Sequence, residues 1–312
     1  HPDTLTSLNN LAGTYGDLGE HKKELELNEK CYVLMCKMHG EEHPDTLMSL
    51  GNLAGTYGDL GEHKKELELQ EKCYALRCKM LGEEHPDTLT SLNNLALAYG
   101  KIGDHKKALE LQEKCYALLC KMPGEEHPHT LMSLGNLACT YGKLGEHKKA
   151  LELLEKCYAL TSKILGEEHP DTLTSLNNLA SACYDLGDYK KALGLFEKCY
   201  ALRCKILGEE HPYTLTTLNN LAYTYGELGE YKKALELNEK CYALRCKVLG
   251  EEHPDTLRSL RNLAVTYSNL GDHKKALELK EKCYALHCKA LGEEHPDTLT
   301  SLNNLAYTYD EL

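Results

Sequence analysis

The feature that most constrains this chain of 312 residues is a period. The stretch Leu-Gly-Glu-Glu-His-Pro-Asp-Thr-Leu-Thr-Ser-Leu-Asn-Asn-Leu-Ala occurs verbatim from Leu81, Leu165 and Leu291, starts that differ by multiples of 42. His-Pro opens a unit at His1, His43, His85, His127, His169, His211, His253 and His295. Seven full 42-residue units and a half unit, 295–312, follow without an insertion at any boundary. The length alone predicts about two ordinary domains. A fixed internal period instead predicts one quasi-linear domain over 1–312, each unit burying its apolar face on its neighbours.

The third unit shows how. Pro86 suits the first helical turn, where its missing N–H costs nothing, and Asp87 complements the positive helix N-terminus. Leu89, Leu92, Leu95, Ala96 and Tyr99 form one helical stripe. Gly103 is placed as a left-handed C-cap, so helix A runs from Pro86 to Lys101. A second stripe, Ala108, Leu109, Leu111, Cys115, Tyr116, Leu118 and Leu119, makes helix B, ending at Gly124. Lys106, Lys107, Glu110, Glu113 and Lys114 supply its solvated face.

Leu92, Leu95, Ala96, Tyr99, Gly103, Ala108 and Leu111, with a small residue at Cys115, resemble the tetratricopeptide repeat signature, Leu92 standing at the usual tryptophan. The 42-residue period, with Leu-Gly-Glu-Glu-His-Pro-Asp-Thr after a lengthened helix B, resembles the kinesin light chain variant. The resemblance covers the whole chain. It implies an all-α fold, a right-handed superhelical solenoid of antiparallel helix pairs with seven repeats and a final single helix. Fold does not fix function, because this architecture serves many partners.

Glu-Glu-His-Pro-Asp admits two readings, a metal or acid–base cluster and punctuation between helices. Catalysis needs an asymmetric set of groups in a concave pocket, which a joint repeated along the chain does not supply. We therefore read the stretch as a joint, with no catalytic or metal role and no cofactor. A second histidine set, His21, His63, His105, His147 and His273, is replaced by Tyr189 and Tyr231, an aromatic packing exchange that would destroy a ligand.

The net charge of −12 opposes binding to nucleic acid or anionic membrane. No apolar run is long enough to span a bilayer. Thirteen of the fifteen cysteines fall at two repeat positions, from Cys31 and Cys36 to Cys283 and Cys288. Five residues apart on a helix, such a pair cannot bridge itself. They read as small packing residues, which predicts a reducing, cytoplasmic setting. The chain starts at a unit boundary without methionine, as an excised fragment would.

The resemblance implies that helix A lines a concave groove with Thr6, Asn9, Asn10, Gly13, Gly16 and Asp17 and their equivalents. Asn10 recurs as Asn52, Asn94, Asn136, Asn178, Asn220, Asn262 and Asn304, although asparagine is a poor helix former. Either it ties neighbouring helices or it forms an amide ladder for the backbone of an extended peptide. Asn9, Asn93, Asn177, Asn219 and Asn303, one position earlier, favour the ladder. Position 13 varies most and includes Tyr223. Met48 with Gly51, and Met132 with Gly135, predict two shallow apolar notches. Lys101, Lys143, Arg258 and Arg261 contrast with Asp17, Asp59, Asp185 and Glu227. That mixture departs from the basic grooves of acidic-peptide binders and points to a neutral peptide.

The expected function is a non-enzymatic adaptor for a protein or peptide partner. The alternative is end-to-end self-association, because Leu299, Leu302, Leu305 and Tyr309 lie on a last helix without a following helix B.

Overall fold

The computed structural model describes residues 2–122 and 124–310, with side chains throughout except at 2–4, 6 and 307–310. The described residues form fifteen α-helices and no strand. The A helices are α1 (Pro2–Asp17), α3 (Pro44–Asp59), α5 (Pro86–Lys101), α7 (Pro128–Lys143), α9 (Pro170–Asp185), α11 (Pro212–Glu227), α13 (Pro254–Asn269) and α15 (Pro296–Asp310). The B helices are α2 (His21–His39), α4 (His63–Leu81), α6 (His105–Lys121), α8 (His147–Leu165), α10 (Tyr189–Leu207), α12 (Tyr231–Leu249) and α14 (His273–Leu291). The fold divides into two compact units, His1–Ile164 and Leu165–Leu312. Within each, the B helices α2, α4, α6, α10, α12 and α14 pack between their own A helix and the next one, the arrangement of a helix-pair solenoid.

The joints show why the chain turns where it does. The A helices α3, α5, α7, α9, α11 and α13 each begin with proline, behind a histidine in extended conformation. That histidine is the N-cap: Nδ1 of His85 accepts a hydrogen bond from the backbone N–H of Asp87 at 3.2 Å. The same bond recurs at His43, His127, His169, His211, His253 and His295. It satisfies one of the N–H groups that a helix start leaves unpaired. At the other end of α5, Asp104 N–H bonds to Tyr99 O and Gly103 N–H to Gly100 O. This Schellman closure needs a left-handed residue, supplied by Gly103 at φ +88°.

The two glutamates of the joint hold ion pairs with the next unit. Glu83 meets Lys114 at 2.9 Å, and Glu41 and Glu125 meet Lys72 and Lys156 at 3.0 Å. The second glutamate does likewise, Glu42 with Lys79 at 2.5 Å and Glu126 with Lys163 at 3.2 Å. In the second compact unit Glu167, Glu209 and Glu251 repeat the first pattern. Each exposed pair adds little alone, but together they fix the register of each joint. Tyrosines clasp the same joints: Tyr57, Tyr99, Tyr225 and Tyr267 donate to Glu29, Glu71, Glu197 and Glu239 at 2.6–2.8 Å.

The core is equally periodic. Leu47 and Leu50 close on Cys73, Leu89 and Leu92 on Cys115, and Leu215 and Leu218 on Cys241. Fully burying each such leucine contributes about 1.5–3 kcal/mol. The cysteine thiols at this position are buried and point at a leucine carbonyl of the preceding A helix, as Cys73 does toward Leu47 O at 3.5 Å. Burial pushes the thiols of Cys115, Cys199, Cys241 and Cys283 up. No described helix is long and apolar enough to cross a membrane.

One boundary differs from expectation. Helix α6 stops at Lys121 after 17 residues, short of Gly124, whereas the other B helices run 19. The sequence has proline at 123 where most units have leucine, and a residue preceding proline is disfavoured in helical conformation.

Candidate functional site

Positions 6, 10, 13 and 17 of each A helix lie on one face by helical spacing, and that face carries the exposed side chains. Met48 and Met132 are 48% and 50% exposed, Leu97 is 40% and Tyr223 43%. Thr6 and Tyr309 lie outside the described side chains.

The recurring asparagines divide into two classes. Asn136 donates through Nδ2 to Asn93 Oδ1 at 2.9 Å, and Asn262 to Asn219 Oδ1 at 2.7 Å. Tyr223 closes the second tie by donating to Asn262 Oδ1 at 2.9 Å. These amides join neighbouring A helices, and Asn93, Asn219 and Asn262 are buried. Asn52, Asn94, Asn178 and Asn220 make no side-chain hydrogen bond among the described residues. For Asn94 the cause is visible in sequence: the place of its partner, one unit back, is Gly51. Asn177 accepts from Thr217 at 3.2 Å instead of from Asn220. Asn10 is exposed, while the carbonyl oxygen of Asn9 is buried without a partner.

The charged candidates separate as well. Lys101 is held by Glu66 at 2.7 Å, and Arg258 by Asp255 at 2.8 Å. Lys143 is exposed and unpaired among the described residues. Arg261 is half-buried beside a 190 Å³ cavity shared with Arg258, His287 and Asp297.

A cavity of about 390 Å³ lies against Met132. Its walls are Pro86, Leu89, Cys115, Leu119, Met122 and Met132, with Asn93 and His129 among its polar neighbours. Gly135 does not line it, so this opening has a different origin from the expected notch. It coincides with the shortened α6 and with Leu119, a position where Arg77, Arg203 and Arg245 fill other joints. Arg77 there donates to Asp87 O and Ser91 Oγ at 2.9 and 2.7 Å. Sequence reasoning passed over this arginine position, although its alternation of Met, Arg, Leu, Thr and His is readable.

On the last helix Leu299 and Leu302 are 48% and 41% exposed, and Leu305 is buried. Among the described residues one group, His21, Glu24 and Asp59, brings three metal-ligating atoms within 4.8 Å of one another.

Comparison with known proteins places this geometry. Family models described as tetratricopeptide repeat match residues 3–79, 67–121, 122–163 and 143–205, and a second such model matches 214–255 and 256–297. No curated protein matches the chain. Among solved structures, a kinesin light chain protein of Podospora anserina with nearly identical TPR-like repeats is 36% identical, with a TM-score of 0.55 over 66% of this chain and 97% of that one. BtubC (BKLC) from P. vanneervenii is 21% identical, with a TM-score of 0.62 over 75% and 94%. A Rap protein complexed with competence and sporulation factor is 12% identical, with a TM-score of 0.58 over 99% and 98%; these last two likenesses concern the fold alone.

Proposed function

The chain belongs to the tetratricopeptide repeat family, and on that premise we propose that it is a non-enzymatic scaffold whose A helices bind an extended, uncharged peptide of a partner protein. The observation that carries this reading is the pairing of unpartnered amides with exposed apolar side chains on one face. In the first compact unit these are Asn52 and Asn94 beside Met48, Leu97 and Met132. In the second they are Asn178 and Asn220 beside Tyr223 and Val265.

A side-chain amide both donates and accepts, so it pairs with both groups of a peptide unit. A large exposed apolar side chain gains by being covered, and methionine adapts to varied partners. Lys101 and Arg258 are neutralised by acids of the chain itself, which supports an uncharged ligand over an acidic one. Asn136 and Asn262 belong to the scaffold, not to the ligand face.

The test is a peptide-library selection against the full chain, followed by affinity measurement on two double variants. Replacing Asn52 and Asn94 by alanine should weaken an enriched peptide on the order of tenfold or more, two hydrogen bonds contributing about 0.5–1.5 kcal/mol each. Replacing Asn136 and Asn262 should instead lower stability. Unchanged binding after the first replacement, or no enrichment on folded protein, refutes the reading.

A second reading rests on Leu299 and Leu302, whose equivalents Leu257 and Leu260 are buried. In this 312-residue chain they offer an apolar surface for end-to-end association. Light scattering over a concentration series that shows only monomer refutes it.

A further inference from the structure

We infer that His21, Glu24 and Asp59 form a binding site for one divalent metal ion at the first joint, between the start of α2 and the end of α3. His21 Nδ1 lies 3.0 Å from Glu24 Oε2, and an Asp59 oxygen completes a set within 4.8 Å. Ligand atoms about 2.0–2.2 Å from one metal stand within this range of each other. One imidazole and two carboxylates suit a divalent ion of hard to borderline character.

The next joint supplies the independent observation. There the same constellation is His63 and Glu66, with Nδ1 to Oε2 at 3.3 Å. The residue equivalent to Asp59 is Lys101, whose ammonium sits 2.7 Å from Glu66 Oε1. Both joints leave room with a glycine. A Cβ on Gly58 would lie 2.5 Å from the Glu66 carboxylate and 2.6 Å from the Lys101 ammonium; on Gly16 the atoms nearest to it would all belong to the Glu24 carboxylate, from 2.9 Å. So the chain places a cation beside this glutamate in one joint, and in the other replaces that cation by a third ligand. Later units have alanine in place of the glutamate, from Ala108 onward.

The outer shell is also built. Thr56 Oγ1 donates to Glu24 Oε1 at 2.9 Å, and Asn28 Nδ2 donates to Thr56 Oγ1 at 2.9 Å. This chain of bonds fixes one oxygen of the glutamate while the other faces His21 Nδ1 at 3.0 Å, the role outer partners play in metal sites.

Asp59 shares the face of the peptide reading, but the site uses none of its amides or apolar side chains. Its test uses Mn²⁺, a probe that the fifteen thiols hold poorly, with free ion followed by electron paramagnetic resonance and with thermal unfolding in parallel. The wild-type chain should bind one equivalent and gain thermal stability with Mn²⁺ concentration. Asp59→Asn should weaken binding by at least the ~10–100-fold that loss of an outer partner causes. Asp59→Lys should abolish it while leaving a helical chain that melts no lower than metal-free wild type, because it copies the contact of Lys101. Glu66→Gln should bind as wild type. No stoichiometric binding by wild type, undiminished binding by either Asp59 variant, or loss of binding in Glu66→Gln overturns the inference.

Discussion

Replacing Arg245 by methionine should leave the second compact unit at least as stable as before, whereas alanine should weaken it. Arg245 is 1% exposed. Its Nη1 donates to Asp255 O at 2.9 Å and to Ser259 Oγ at 2.7 Å, while Nη2 is buried without a partner. The Asp255 carboxylate pairs with Arg258 instead, and burial holds the guanidinium below its usual pKa. Two hydrogen bonds from a charged donor contribute about 1.5–3 kcal/mol each. Against them stand several kcal/mol of desolvation for one buried ion and ~1–3 kcal/mol for the unmet N–H groups. These terms are of one size, so the charge nets close to zero and the packed stem decides. Methionine keeps most of that stem, and Met35 occupies this position in the first unit. Ser259 remains bonded to Asp255 O at 3.3 Å, so no acceptor is stranded. We expect Arg245→Met to change stability by 0 to about 2 kcal/mol in the stabilising direction. Arg245→Ala should cost about 2–4 kcal/mol through its cavity. Native-state hydrogen exchange of α12 and α13 amides is the assay, because repeat arrays open in segments. A methionine variant destabilised by more than about 2 kcal/mol, as much as the alanine variant, would show that hydrogen bonding outweighs desolvation here.

Two further outcomes follow from glycine positions and one buried imidazole. Gly194 lies within α10 with nothing within 4 Å of an added Cβ, so Gly194→Ala should stabilise by about 0.5–1 kcal/mol. Gly58→Ala drives a Cβ into the Glu66–Lys101 pair and should lower the urea midpoint; equal effects of the two substitutions would refute the packing account. His287 has its pKa lowered, chiefly by burial, with Ser301 Oγ 2.9 Å from Nδ1. The unfolded state then takes up protons first, so this stabilisation is complete above the ordinary value of 6.5 and is lost as pH falls below it. His287→Met should flatten that dependence in the exchange of α14 and α15 amides, and an unchanged pH profile would refute it.

Much of the fold was legible because each joint states its chemistry locally. His85, Pro86, Asp87 and Gly103 lie within a few residues of the backbone groups they satisfy, so helix A of the third unit could be bounded from sequence. The capping role of histidine was readable for the same reason. The glutamates of the joint were less so. Their partners, Lys72 and Lys79 among them, lie 31 and 37 residues away, a register that only packing sets. The asparagines show a sharper limit. Asn94 and Asn136 share a repeat position and a residue type, yet one is unpartnered and the other tied. The difference lies in Gly51 against Asn93, one unit back. Glu24 and Glu66 were visible as departures from alanine, but their meaning depends on whether aspartate or lysine arrives from the next A helix.

The tie from Asn136 to Asn93 spans 43 residues, and none of the side-chain hydrogen bonds described here reaches further. Every such bond therefore joins a unit to itself or to its immediate neighbour, at an offset that repeats along the sequence. Copying or deleting one 42-residue segment shifts both partners of each bond together and leaves the offsets unchanged. Loop closure never involves more than about one unit of chain, so its entropic cost stays constant however many units are added. The number of units is thus a quantity that recombination can alter without solving a new folding problem. What it alters is the length of the row of recurring asparagines, one amide at a time.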